Sequence, residues 1–180
     1  MIYTVFSTNW GYFGLAGTQS SLVRTHLPLG SCNRVVQDLL AHLGQANFDA
    51  KYFAQLQERI KAYYQGTYTG SFADVRVNLH RINPFAAAVL RACRKIKPGR
   101  TISYTRLAKL AGYPKAARAV GRALAANPLP LIIPCHRVIR TDGKLGGFSA
   151  AGGQTVKKRM LSLEKVVVKQ HQNCLGKENP

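Results

Sequence analysis

Acidic residues are scarce in this chain: 7 Asp and Glu stand against 26 Lys and Arg, giving a formal charge of +19 over 180 residues. That imbalance exceeds what solubility requires and points to a polyanionic partner. Long apolar runs are missing too. Nothing approaches the roughly eighteen residues of a membrane-spanning helix, and no polybasic segment abuts an apolar one, so nucleic acid suits the charge better than a membrane. The N-terminus lacks a basic stretch followed by an apolar core, so no secretory signal is read and an intracellular protein is expected, cytoplasmic or, in a eukaryote, nuclear. Cysteines number four, Cys32, Cys93, Cys135 and Cys174. None pairs with another at C-x-x-C spacing, which argues against a zinc ribbon and a thioredoxin-type redox site. Cys32 and Cys93 fall on predicted helices, where buried inert thiols are expected, and Cys174 falls in a polar tail. His26, His42, His80 and His171 are isolated, so no metal-ligand set and no cofactor are expected.

A hydrophobic content of 46% is ordinary for a globular chain, and its length allows one large domain or two small ones. The charge is unevenly spread: residues 1–80 hold 6 basic and 4 acidic residues, the remaining hundred 20 and 3, so a net +17 belongs to the C-terminal part. Residues 2–7, 12–17 and 21–27 are β-prone and separated by turn residues, predicting two successive hairpins. Ser31 offers an N-cap to a helix carrying Val35, Val36, Leu39, Leu40 and Leu43, with Gly44 as its stop. A second helix is predicted over 50–64, and Val75, Val77 and Leu79 alternate as a further strand. Residues 1–80 therefore read as a small α/β domain in which no chemistry is evident, Trp10 and the tyrosines serving as core and rim.

Residues 81–165 read as mostly helical. Pro84 suits a first helical turn, and Phe85, Ala88, Val89, Ala92, Cys93 and Ile96 form an apolar face before Lys97-Pro98-Gly99. Helices over 105–111, with Leu107, Ala108 and Leu110 as buried candidates, and over 115–126 flank Gly112-Tyr113-Pro114, the pattern of a helix-turn-helix unit. Lys115, Arg118 and Arg122 would share one face of the second helix, available to DNA. Gly121 in its interior costs roughly 1 kcal/mol against Ala, so a close approach by DNA or by a neighbouring helix is expected there. The run Ile132-Ile133-Pro134-Cys135-His136-Arg137-Val138-Ile139 sets a thiol beside an imidazole and a guanidinium. A thiolate is the nucleophile, and cationic or basic neighbours raise its fraction. Pro134 and the pre-proline Ile133 favour a stiff, extended presentation, which would turn Cys135 and His136 to opposite faces and make a water-bridged contact more natural than a direct one.

The segments Ile102-Ser103-Tyr104, Ala116-Ala117-Arg118-Ala119-Val120-Gly121, Asn127-Pro128 and Pro134 to Val138 occur in an order and spacing that resemble the C-terminal domain of the O6-alkylguanine-DNA alkyltransferases, over some sixty-five residues from Thr101 to Glu164. The resemblance implies a ribonuclease-H-like α/β domain with a small antiparallel sheet over 1–80 and a winged-helix-like helix-turn-helix domain over 81–165; the remaining tail, 166–180, reads as a short strand or as disordered. It implies that Cys135 accepts the alkyl group irreversibly, with His136 as base through a water and Glu164 orienting the imidazole. Asn127 would tie the helix-turn-helix to the active-site strand, and Tyr104 would sit at the target nucleotide and offer a proton to the departing guanine. Arg118 would fill the space of the rotated base, with Lys115, Arg122, Ala117, Gly121 and Arg137 also meeting DNA. Phe148, Ser149 and Val138 would line the guanine pocket. Phe148 stands where many relatives have Tyr, and the region Ala150-Ala151-Gly152-Gly153 is slightly expanded. The implied partner is double-stranded DNA carrying O6-alkylguanine, bound by a monomer or by copies side by side. A helix-turn-helix regulator without chemistry would leave Cys135, His136 and Glu164 idle, and a Cys-His hydrolase would leave the basic helix unexplained.

Overall fold

The computed structural model of the chain describes residues 1–41, 43–68 and 70–175, with side chains as far as Lys165; His42 and the side chains of His171 and Cys174 lie outside the described residues. Three strands, β1 (Ile2–Thr8), β2 (Gly11–Gly17) and β3 (Leu22–Leu29), form the two expected hairpins. A short strand β4 (Asn47–Phe48) then joins β1 in parallel, giving the order β3-β2-β1-β4. The sheet is mixed, not antiparallel, because the chain crosses over through a helix between β3 and β4 instead of turning back.

That helix, α1 (Cys32–Leu40), begins as expected: the Ser31 side chain accepts from the backbone N–H of Arg34. It ends before Leu43, and Gly44 sits in the following turn with φ +65°. Cys32, in its first turn, is half-buried and not a core thiol. Val35 and Leu39 lie flat on the sheet at Gly14, where a Cβ would come within 2.9 Å of Leu39 and 3.0 Å of Val35, so the glycine sets the close helix-to-sheet distance. Helix α2 (Ala54–Gln65) starts four residues later than the pattern predicts, because residues 50–53 form a turn that leaves Phe53 left-handed at φ 54°.

The strand expected around Val75 to Leu79 does not form; a single bridge links Val77 to Leu22. Val75 and Leu79 are buried as their alternation implies, but the Arg94 guanidinium donates to the carbonyls of Ala73 and Val75, which takes acceptors that a ladder would need.

Helix α3 (Pro84–Arg94) is capped by Asn83, whose side chain accepts from Ala86 N–H. A two-stranded parallel sheet pairs β5 (Ile102–Ser103) with β6 (Val138–Ile139). Between them come α4 (Tyr104–Leu110), capped by Ser103, and α5 (Ala117–Ala125), both packed with α3. Lys115 lies in the turn before α5, not on the helix, so Arg118 and Arg122 alone share the expected face. Leu110 closes α4 with its side chain 56% exposed, and the buried face consists of Leu107 and Ala108. The final helix, α6 (Gly153–Leu175), runs through the 165/166 boundary, so residues 166–175 continue a helix and form no strand.

Candidate functional site

Helix α5 ends at Ala125, and Asn127 binds across the loop that follows: its Nδ2 donates to the Ile133 carbonyl at 2.9 Å, and its Oδ1 accepts from Leu129 N–H at 3.0 Å. The loop is buried, and Leu131 within it adopts φ +75°, a left-handed conformation unfavourable for a branched side chain and held in place by complete burial. Thr25 of β3 grips the same loop, donating its N–H to the Pro128 carbonyl at 2.9 Å and its hydroxyl to the Pro130 carbonyl at 2.8 Å. Pro134, at φ −80° and ψ 65°, makes an inverse γ-turn closed by Cys135 N–H on the Ile133 carbonyl. A single 3-10 turn, Cys135–Arg137, follows in place of the extended segment expected from the prolines. This tight turn sends three consecutive side chains in different directions.

Cys135 reaches the floor of a cleft of about 890 Å³ whose walls include Tyr104, Ala117, Arg118, Gly121, Arg122, Phe148 and Ser149. These come from α4, α5 and the loop before α6, so the structure gathers most of the residues singled out from the sequence. A smaller cavity of about 190 Å³ opens on the other side of Cys135, between β3, Asn127 and Ser149 to Ala151. Gly121 is not demanded by packing among the described residues, where a Cβ would meet only Tyr104, at 3.9 Å. The neighbouring-helix explanation for it therefore falls away.

His136 is buried, and its Nε2 lies 2.7 Å from Glu164 Oε1. An ionised carboxylate only accepts, so Nε2 carries the proton. Nδ1 is buried as well and meets no partner among the described residues. Arg137 differs from its expected role. It is 3% exposed, with Nε and Nη2 donating to Glu164 and Nη1 donating to the Ile96 carbonyl. A guanidinium so enclosed cannot meet DNA; the buried carboxylate has captured it. Val138 is likewise buried in β6 and does not line the cleft. Lys115 is exposed and also lies outside the cleft wall.

Two participants escaped sequence reasoning. Lys157 on α6 has a fully buried side chain whose Nζ donates to the Val138 carbonyl at 2.6 Å. It also lies 5.8 Å from the Tyr104 ring centre. In sequence it is one of a run of three basic residues before Met160, and nothing marks it as buried. Tyr63 on α2 donates its hydroxyl to Glu164 Oε1 at 3.0 Å, and Gly99 N–H donates to Oε2 at 3.2 Å. Helical periodicity offered the one available hint for Tyr63, as a core position; its hydrogen bond depends on a partner 101 residues away.

The electrostatics follow from this packing. Burial pushes the Cys135 thiol above its ordinary range, while the Asn127 side chain and the Lys157 ammonium pull it down. The cation beside the thiol is thus Lys157, not Arg137. Burial lowers His136 below the usual imidazole value, against the attraction of Glu164. Burial would raise the Glu164 carboxyl, but hydrogen bonds from His136 and the Arg137 guanidinium hold it well below the usual carboxylate range. The state we assign is a neutral imidazole between a carboxylate and a protonated thiol, with Arg137 carrying the countercharge. Elsewhere His26 is not isolated; its Nε2 lies 3.6 Å from Asp38, which also binds Arg34. Among the described residues no cluster of three His, Cys, Asp or Glu could hold a metal ion, and no helix is long and apolar enough to cross a membrane.

A buried cysteine at the floor of a basic cleft, followed in the chain by an imidazole bonded to a buried carboxylate and drawn towards the thiolate by a buried lysine, defines a protein built to present one thiol to a large ligand. Residues 84–166 match the family described as 6-O-methylguanine DNA methyltransferase, DNA binding domain. The methylated-DNA–protein-cysteine methyltransferase of Methanosarcina acetivorans is 34% identical over 164 residues, covering 91% of this chain and 98% of that protein. The fold is similar to that of Mycobacterium tuberculosis OGT, solved in complex with DNA, with a TM-score of 0.76, 34% identity, and coverage of 93% of this chain and 94% of that one. The rat methylated-DNA–protein-cysteine methyltransferase is 58% identical over 71 residues, so the matched stretch spans about a third of its length, 34%, and 39% of this chain. The chain belongs to the methylated-DNA–protein-cysteine methyltransferase family.

Proposed function

We propose that this protein repairs DNA by moving an alkyl group from guanine O6 to its own Cys135, once per molecule. The observation that carries this reading is Cys135 itself, at the floor of a cleft walled by Tyr104, Phe148, Ser149 and the arginine-bearing face of α5. The O6 substituent of a paired guanine lies inside the stack, so the nucleotide must be rotated out, and a poorly paired base is the cheapest to extrude. Arg118 on the cleft rim fills the vacated space, and Arg122, Lys115, Ala117 and Gly121 approach the backbone. The thiol loses its proton through a water to His136, which is ready to accept it because Glu164 holds the other ring nitrogen as a donor. The sulfur then attacks the alkyl carbon in line as the carbon–O6 bond breaks. The electron pair leaves on guanine, which takes a proton from Tyr104, and the thioether is final. Asn127 and Lys157 favour the thiolate, and Phe148 and Ser149 line the base pocket.

The same reading divides the chain into an α/β domain over 1–80, ribonuclease-H-like in its sheet, and a helical domain from 81, winged-helix-like with α4 and α5 as its helix-turn-helix, whose last helix carries on past 165 into the C-terminal segment 166–180. It places the protein inside the cell, in cytoplasm or nucleus, acting on double-stranded DNA as a monomer or in side-by-side copies. The test is intact mass after incubation with excess DNA containing O6-methylguanine. One added methyl on the native chain, and none on Cys135→Ser, is the expected result; no gain while lesion DNA stays bound would point to a binding protein without transfer.

A further inference from the structure

We propose that Tyr63, contributed by the N-terminal part of the chain, is a positioning residue of the alkyl-transfer site, acting on His136 through Glu164. This inference rests on the alkyl-transfer reading and extends its machinery to an element in which the sequence shows no chemistry.

The geometry is specific. Glu164 Oε1 accepts from His136 Nε2 at 2.7 Å, from Arg137 Nη2 at 2.8 Å and from the Tyr63 hydroxyl at 3.0 Å. One oxygen thus gathers donors from three residues, Arg137 reaching it through Nε as well at 3.2 Å, and Tyr63 is the one that comes from α2. Its ring is held edge-on by Tyr64, centre to centre 5.1 Å, and by Phe72 at 6.2 Å, and its side chain is 3% exposed. Burial and the nearby carboxylate keep the phenol protonated, so it donates throughout the working pH range. The adjacent Tyr64, equally buried, has a hydroxyl with no partner among the described residues. Tyr64 packs on Trp10 and Phe13, so of these two neighbouring buried tyrosines Tyr63 is the one whose hydroxyl touches the carboxylate.

Tyr63 has two effects on the reaction. It limits the rotation of the carboxylate, which keeps Oε1 in line with the imidazole N–H and Nδ1 bare for the thiol proton. It also satisfies part of the charge on Oε1, which restrains Glu164 from drawing His136 towards the cationic form. The other charges bearing on His136 are Arg137 on its own turn and Lys157 on α6. Removing the Tyr63 hydroxyl leaves Glu164 freer to stabilise an imidazolium, so His136 becomes protonated at higher pH and is lost as a base there.

The experiment is the single-turnover rate of Cys135 alkylation by O6-methylguanine DNA, measured against pH for the native chain, Tyr63→Phe and Tyr64→Phe. Tyr63→Phe is expected to slow transfer about tenfold, the scale of one hydrogen bond to a charged group, and to move the acid limb of its profile to higher pH. Tyr64→Phe keeps the native rate and profile. DNA binding, measured on a Cys135→Ser background, should be the same for all three. A native chain that transfers no methyl sinks the alkyl-transfer reading. A native chain that transfers, with Tyr63→Phe matching it in rate and acid limb, overturns the positioning role alone. A lowered melting temperature with an unmoved acid limb reduces Tyr63 to a structural contact and overturns it equally. Should Tyr63→Phe not fold, 3-fluorotyrosine placed at position 63, a stronger donor of the same shape, takes its place: an acid limb moved to lower pH supports the role, and an unmoved limb overturns it.

Discussion

Lys157 and Arg137 show how differently two basic side chains can serve one site. Lys157 donates to the Val138 carbonyl and its charge favours the Cys135 thiolate. Replacing it by Met keeps the buried stem and removes the charge, so the thiol pKa rises and alkylation slows at neutral pH. Iodoacetamide modification of Cys135 followed from pH 6 to 10 reads this directly, the midpoint moving upward in Lys157→Met. Arg137 has the opposite profile. Its loss leaves Glu164 with a buried and partly unpaired charge, which costs about 3–5 kcal/mol. Arg137→Ala should therefore lower the melting temperature by about 10 °C. Arg118→Ala, at an exposed site on the cleft rim, should leave melting unchanged and weaken binding to DNA. Sequence could not separate these arginines, since burial of Arg137 depends on Glu164 arriving from 27 residues away.

Helices were the most legible elements, because their caps and periodicities are local. Ser31, Asn83 and Ser103 cap α1, α3 and α4 through their own side chains. What escaped was set by distant partners: the parallel addition of β4, the Arg94 side chain that occupies the backbone of the Val75 to Leu79 segment, and the 3-10 turn at Cys135. The site was legible to a comparable degree. Cys135, Tyr104, Arg118, Phe148 and Ser149 share the cleft, and Glu164 reaches His136, whereas Lys157 and Tyr63 became visible only in three dimensions. Gly121 carries this scale's prediction. The helix interior there has room for a methyl group, so Gly121→Ala should stabilise the free protein by about 0.5–1 kcal/mol through helix propensity. If the slim face of α5 exists to admit a nucleic acid backbone, the same substitution weakens binding to DNA. A thermal melt and a DNA titration on one variant test both halves, and tighter binding would show that the glycine has no such purpose.

At the scale of the whole molecule, Glu164 is the meeting point of α2, α6, the Pro98–Gly99 turn and the Cys135 turn, so its ionisation is coupled to folding. Its pKa in the folded chain is depressed well below the usual carboxylate range, and unfolded Glu titrates near about 4.3. A depressed folded value means that the unfolded chain takes up the proton first; the stabilisation is complete above about pH 4.3 and is lost as pH falls from there towards the folded value. His136 adds a second step of the same sign. It is buried neutral with a lowered pKa, so the unfolded chain binds its proton first as pH falls below about 6.5, with a limiting slope of about 1.4 kcal/mol per pH unit for one proton. The melting temperature should therefore be flat between about pH 7 and 8, decline from about pH 6.5, and fall more steeply below about 4.3. Glu164→Gln separates the two steps. It destabilises the chain at neutral pH, where it leaves Arg137 without its counterion; because Glu164 also supports protonation of His136, the gap to the native protein should widen below about pH 6.5 and shrink only below about pH 4.3. A gap that closed between pH 8 and 6 would mean that Glu164 is not the ionised anchor the geometry requires.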